Sequence, residues 1–294
     1  MLTFRFLSIA VLVVSSLAAP STPSGLVHTP HGLRDASVVH EVPGGSKIRQ
    51  IDSKTFHVIS KEGSVLKTVK VNPEADARAP SPTTGDAPVP LQTGWVALAH
   101  YFNRDVPIGS FASTWSVPPN PAANHGQVLF LFNCIEPGSG NAILQPVLQW
   151  GRSAAGGGAY WAIATWYLSP AGTFHTPLIN VNVGQVLSGG IGLIGVSSAG
   201  FSYFAAFTNI GDSTRLDAIN GDELKWATVT LESYNIQSKD DYPTGSTVFS
   251  RTNLQLTNGG FPNINWATVS DTADNIITTI QTQGSTAAVI TITY

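Results

Sequence analysis

Hydrophobic and polar positions alternate with period two along several short stretches of this chain. Leu178-Ile179-Asn180-Val181-Asn182-Val183 alternates, as does Ala227-Thr228-Val229-Thr230-Leu231-Glu232-Ser233-Tyr234. Val128-Leu129-Phe130-Leu131-Phe132 is a continuous apolar run of strand length, and the chain closes on β-branched residues, Val289-Ile290-Thr291-Ile292-Thr293-Tyr294. Such residues at this period suit a pleated surface with one face buried, so each stretch predicts a strand. Pro118-Pro119-Asn120-Pro121, Glu136-Pro137-Gly138-Ser139-Gly140, Gly156-Gly157-Gly158 and Asn258-Gly259-Gly260 predict the turns between them. No stretch of roughly 12 residues keeps a capped helical period. Many short strands over residues 94–294 predict an all-β fold, a two-sheet antiparallel β-sandwich.

Two polar side chains stand out against this pattern. In the predicted strand at residues 227–234, alternation puts Ala227, Val229 and Leu231 on one face and Thr228, Thr230, Glu232 and Tyr234 on the other. Glu232 therefore points away from the core, toward water or a concave cleft. In Ala142-Ile143-Leu144-Gln145-Pro146-Val147-Leu148-Gln149-Trp150, Gln145 follows an apolar trio. Pro146 removes a ladder donor, which predicts an edge or a bulge re-aiming the side chains there.

The N-terminal third has a different character. Arg5 precedes an apolar run over residues 6–17 that ends in Ser15-Ser16-Leu17-Ala18-Ala19, too short to span a bilayer and with the small-residue exit of a secretory signal. Residues 1–18 are expected to be a removed signal peptide, leaving a secreted, extracellular product with no membrane attachment. Residues 19–93 hold no Trp, although the chain has seven, and carry four of its seven His: His28, His31, His40 and His57. They end in a Pro-rich stretch with the composition of a linker, where Arg78-Ala79 is a candidate cut point. Eight Lys and Arg face seven Asp and Glu in residues 19–93, whereas six face eleven beyond them. Opposite signs predict a propeptide held to the body at 94–294 by electrostatics and loosened in acid, where His charges and carboxylates neutralise.

Charge and motif content narrow the function. A net charge of −3 offers no basic field for nucleic acid. Cys134 is the only cysteine, so no intramolecular disulfide forms, and its apolar neighbours predict a buried thiol. No Asn-x-Ser/Thr sequon is present. Gly190-Ile191-Gly192-Leu193-Ile194-Gly195 matches a dinucleotide-binding string but is flanked by strands on both sides, which removes its meaning. His100, His125 and His175 lack metal-ligand spacing, and no G-x-S-x-G elbow occurs. No metal or organic cofactor is implied, and a monomer is expected.

Gly140-Asn141-Ala142-Ile143-Leu144-Gln145 followed by Tyr160-Trp161-Ala162-Ile163-Ala164-Thr165-Trp166-Tyr167 resembles the A-I-L-Q and A-W-Y-E-W-Y block of the fungal glutamic peptidases, the eqolisins. Ser113-Thr114-Trp115-Ser116-Val117-Pro118 resembles that family's strand ending in Val-Pro, and Asn133-Cys134-Ile135-Glu136 its G-I-D segment. Residues 227–234 fall where the family has A-E-F-I-I-E-D-F. Departures include Gly94-Trp95-Val96 for the family's Asn-Trp-Gly/Ala opening and Thr165 for an acidic residue. The resemblance covers residues 94–294. It implies a sandwich of concanavalin-like jelly-roll type, a secreted acid endopeptidase made with a propeptide, and protein or peptide substrates. Residue by residue, it makes Gln145 and Glu232 the catalytic pair; Trp95, Glu136, Trp166 and Tyr234 are the candidate substrate-binding residues, the aromatic ones able to line a cleft.

The chemistry fits such a pair. Peptide hydrolysis needs a group that takes a proton from water and returns one to the departing nitrogen, which Glu232 supplies if it visits both protonation states. An ordinary glutamate, with a pKa of about 4.3, does so only in acid. The Gln145 amide NH₂ is a donor for the developing oxyanion, worth about 3 to 4 kcal/mol by comparison with other single oxyanion donors. Two other classes remain open from the residues alone: a glycosidase using Glu136 and Glu232 as paired carboxylates, and a non-catalytic lectin-like sandwich whose aromatic cleft binds carbohydrate or cell wall.

Overall fold

The computed structural model describes residues 25–72 and 94–294. The expected signal segment at 1–18 and the Pro-rich linker with Arg78-Ala79 lie outside the described residues. Among those described, 21 strands and three short 3₁₀ turns form the regular structure, and there is no α-helix. Among the described residues no helix is long and apolar enough to cross a membrane.

The N-terminal part supplies β1 (Leu26–Thr29), β2 (Gly32–Asp35), β3 (Val39–Glu41), β4 (Ser46–Asp52), β5 (Thr55–Ile59) and β6 (Val65–Lys70). There follow β7 (Gly94–Phe102), β8 (Ile108–Ser116), β9 (Val128–Glu136), β10 (Ile143–Ser153), β11 (Gly156–Ser169), β12 (Gly172–His175), β13 (Ile179–Asn180) and β14 (Val186–Ser197). The chain closes with β15 (Gly200–Phe207), β16 (Leu216–Gly221), β17 (Trp226–Tyr234), β18 (Ser246–Leu256), β19 (Ala267–Val269), β20 (Ile277–Thr282) and β21 (Ala288–Thr293).

Two large sheets pack face to face. One runs in the order β19-β7-β17-β9-β10-β11-β12-β3, with β13 also on β11; the other runs β20-β21-β18-β8-β14-β15-β16-β4-β5-β6. The all-β sandwich expected from the alternation is therefore the fold. Leu129, Leu131, Ala227, Val229 and Leu231 of the first sheet meet Phe111, Trp115, Ile191, Phe207 and Phe249 of the second in one buried core. Period two drives this packing, because one face of each strand is apolar and is removed from water.

The N-terminal strands are built into both sheets. β3 pairs parallel with β12 and β4 pairs parallel with β16, at junctions where the neighbouring body strands pair antiparallel. Val42, Ile48, Phe56, Val58 and Val69 join the main core. This corrects the expectation of electrostatic attachment. The ion pair of Lys61 with Asp212, at 2.6 Å, has both side chains mostly in water and contributes little beside a shared ladder and a shared core.

Three local expectations also change. Pro146 lies within β10, a central strand between β9 and β11, with no bulge beside it. The β9–β10 register is the same on either side, Leu144 with Ile135 and Val147 with Phe132, so the missing donor is absorbed as a gap in the ladder. Gly156-Gly157-Gly158 opens β11 and is not the turn. A Cβ on Gly157 would stand 2.4 Å from both Gln149 Nε2 and the Gly151 carbonyl oxygen, so close backbone approach explains that glycine. Only Ile179–Asn180 of the alternating 178–183 stretch is strand.

Candidate active site

The opposite face of the first sheet carries a second apolar cluster, built from Trp95, Phe130, Phe132, Cys134, Val147, Trp166, Trp226 and Tyr234. Alternation places Gln145 on this face of β10, in step with Ile143 and Val147, and Glu232 on this face of β17, in step with Tyr234. β9 runs between the two strands, with Phe130 opposite both Glu232 and Gln149. Gln145 and Glu232 are both 0% exposed. The expected cleft is therefore covered, and what covers it is the β1–β2 hairpin.

Thr29-Pro30-His31-Gly32 forms the tip of that hairpin, with Thr29 paired to Gly32. Pro at the first central position and a φ of 110° at His31, the second, are the marks of a type II turn. Thr29 Oγ1 donates to the Gly32 carbonyl at 2.7 Å and closes it. The middle amide of such a turn takes no part in the hairpin ladder, so its buried polar ends need partners elsewhere. Gln145 Nε2 donates to the Pro30 carbonyl oxygen at 2.9 Å. The His31 N–H donates to Glu232 Oε1 at 2.8 Å and to Oε2 at 3.0 Å, and the Gly32 N–H reaches Oε1 at 3.2 Å. The carboxamide and the carboxylate, 87 positions apart, thus hold the two ends of one peptide group.

Burial pushes the Glu232 carboxyl up to about 7, against the pull of its donors, the Tyr234 hydroxyl first and then the N–H groups of His31 and Gly32. Tyr234 donates directly to Glu232 Oε1, and burial holds its own hydroxyl protonated far above the ordinary tyrosine value. The hairpin's imidazoles pack on the cluster. His31 stands edge-on to Trp95 with ring centres 5.9 Å apart, and His28 lies 4.8 Å from Tyr234. Burial lowers both, His31 to about 4 with help from the charge of Arg34.

Of the sequence-predicted residues, Gln145, Glu232, Trp95 and Tyr234 come together at the turn. Trp166 belongs to the same apolar face but packs on His175, ring centres 4.6 Å apart. Glu136 is the last residue of β9, opposite Trp226 and six positions along that strand from Phe130. It is fully buried, which pushes its carboxyl well above the usual range. The Cys134 thiol, also buried, lies 3.0 Å from Thr228 Oγ1, which is 2.7 Å from Thr230 Oγ1, so Glu136 and Cys134 begin a polar row along the sheet. Among the described residues no group of three His, Cys, Asp or Glu is placed to hold a metal. Gly190 to Gly195 lies within β14, a strand.

Sequence reasoning missed the turn itself. Its signal was Pro30 and Gly32 between short runs, the punctuation of a hairpin, in a segment weighed by composition and charge alone.

No protein-family model and no curated protein matches the chain. Solved structures similar to it include scytalidoglutamic peptidase with a peptide-based transition state analog, at a TM-score of 0.46 and 13% identity, over 70% of this chain and 100% of that one. SCP-B, a member of the eqolisin family in complex with the tripeptide Ala-Ile-His, is similar at a TM-score of 0.45 and 13% identity with the same coverage.

Proposed function

We propose that this chain is a secreted acid endopeptidase precursor of the glutamic type, in which Gln145 and Glu232 hydrolyse peptide bonds and residues 19–93 are the propeptide. One observation carries the reading: the two groups already grip a peptide group by its carbonyl oxygen and its N–H. A substrate amide in the same place has its carbonyl oxygen against the Gln145 NH₂, which stabilises the oxyanion as it forms. Glu232 takes a proton from water as the new C–O bond forms at the carbonyl carbon. It returns that proton to the nitrogen as the C–N bond breaks, and ends in its starting state. Both groups are set by strand alternation on neighbouring parts of one sheet, so no cofactor enters the scheme.

The test is acid-dependent cleavage of a denatured protein by the full chain after incubation at about pH 3 to 4, where an ordinary glutamate titrates. Cleavage that falls at least about 100-fold in both Glu232→Gln and Gln145→Ala supports the reading. Equal cleavage by either variant refutes it.

A further inference from the structure

We infer that the Thr29-Pro30-His31-Gly32 turn is a built-in inhibitor of the Gln145–Glu232 site, bound like a substrate but held so that the Pro30–His31 bond survives. This inference rests on the peptidase reading for its meaning, but the docking of the turn can be measured without it.

Three features of the contact distinguish an inhibitor from a substrate awaiting cleavage. First, the catalytic capacity of Glu232 is spent. Its Oε1 accepts from His31 N–H, Gly32 N–H and the Tyr234 hydroxyl, Oε2 shares the His31 N–H, and the group is 0% exposed, so bulk water does not reach the carboxylate. Gln145, Glu232, Thr29 and Pro30 are all buried, which closes the approach to the carbonyl carbon. Second, the bond lies at the centre of a reverse turn. His31 has φ 110° and Gly32 φ 102°, a left-handed backbone that an extended peptide threaded along the sheet does not adopt. Third, the two sides of the bond are tied together independently of it. The β1–β2 ladder runs from Leu26 with Asp35 to Thr29 with Gly32, the Thr29 hydroxyl spans the turn, and Ala36 N–H bonds the Gly25 carbonyl. The hairpin is in turn fixed to the body by Ala154 N–H on the His28 carbonyl. If the bond opened, the new carboxyl and amine would stay in contact at high effective concentration, which favours rejoining over departure.

The ligand class is thus a tight hairpin with a Pro-X type II turn whose central amide is free to be gripped at both ends. His31 is the strained member, since a non-glycine residue at this φ is disfavoured. His31→Gly keeps the N–H and relieves that strain. His31→Pro removes the N–H and cannot take the φ at all.

The experiment uses the full chain and two readouts. Hydrogen exchange at neutral pH should show the His31 and Gly32 amides at least about 100-fold slower than in an unstructured peptide. That protection should fall in Glu232→Ala, while amides of β9 and β17 stay protected. Free exchange of the two amides in the wild type overturns the inference whether or not the protein is a peptidase. Acid activation is then followed by mass spectrometry and substrate cleavage. Expected are activity with Pro30–His31 intact, activity without an acid lag in His31→Pro, and a longer lag in His31→Gly. Stoichiometric cutting at Pro30–His31 on activation overturns the inhibitor and leaves the peptidase standing. Protected amides with no hydrolysis by any variant remove the peptidase and retain the turn as the ligand of this site.

Discussion

The hydroxyl of Tyr234 donates to the carboxylate of Glu232 two positions earlier on the same strand face. The segment it resembles in the eqolisins ends in Phe, so this chain adds a donor to its carboxylate. The donor opposes burial and draws the Glu232 carboxyl down toward the acid range. Tyr234→Phe is expected to move the pH profile of hydrolysis toward neutrality and to lower the rate. An unchanged profile with a lower rate would assign Tyr234 to packing alone.

Glu232→Ala removes the acceptor of two backbone N–H groups and one hydroxyl in a dry site. Unpartnered buried donors cost about 1 to 3 kcal/mol each, so the docked hairpin should loosen. The main core, on the other face of the sheet, should keep its stability. Urea unfolding of the full chain would show a first transition moved to lower denaturant and a second one unmoved.

Acid should release the hairpin through its histidines. Those of the hairpin are His28 and His31, both lowered when docked, His31 to about 4 against an ordinary value of 6.5. Burial is the main cause for each, followed by Arg34 for His31. The docked state thus binds fewer protons than the free one. Its stability is full above pH 6.5 and is lost as pH falls from 6.5 to 4, by at most about 3 kcal/mol for His31. Glu232, raised to about 7, has the opposite sign, favouring docking below its ordinary value and losing that contribution as pH rises toward 7. The hairpin carries two such histidines against one carboxyl, so protection of the His31 amide should fall between pH 6 and 4. Protection that rises on acidification would reverse the assignment.

Gly151 has φ 88°, and a Cβ there would stand 2.1 Å from the Gln127 carbonyl oxygen. Gly151→Ala should destabilise the sheet under the site by about 2 to 3 kcal/mol, seen as a lower melting temperature. A neutral result would mean that the β10 irregularity at Trp150 and Gly151 relaxes freely.

The all-β class and the faces of β17 and β10 were legible because alternation is a local signal that survives burial. Ala227, Val229 and Leu231 went to the main core and Glu232 to the other face, as the period demands. Pro146 misled because a lost donor in a long central strand costs one rung, which neighbours on both sides absorb. The cover over Gln145 and Glu232 was not legible. Its contacts span 115 to 201 positions, and they use backbone groups, which every residue carries and no composition reveals.

The parallel junctions of β3 on β12 and β4 on β16 give the N-terminal segment a second task. It finishes both sheets; if it were removed, each would be left with a raw margin of open N–H and C=O groups. The act that frees the candidate site would therefore also create two adhesive rims, ready to recruit any extended polypeptide nearby.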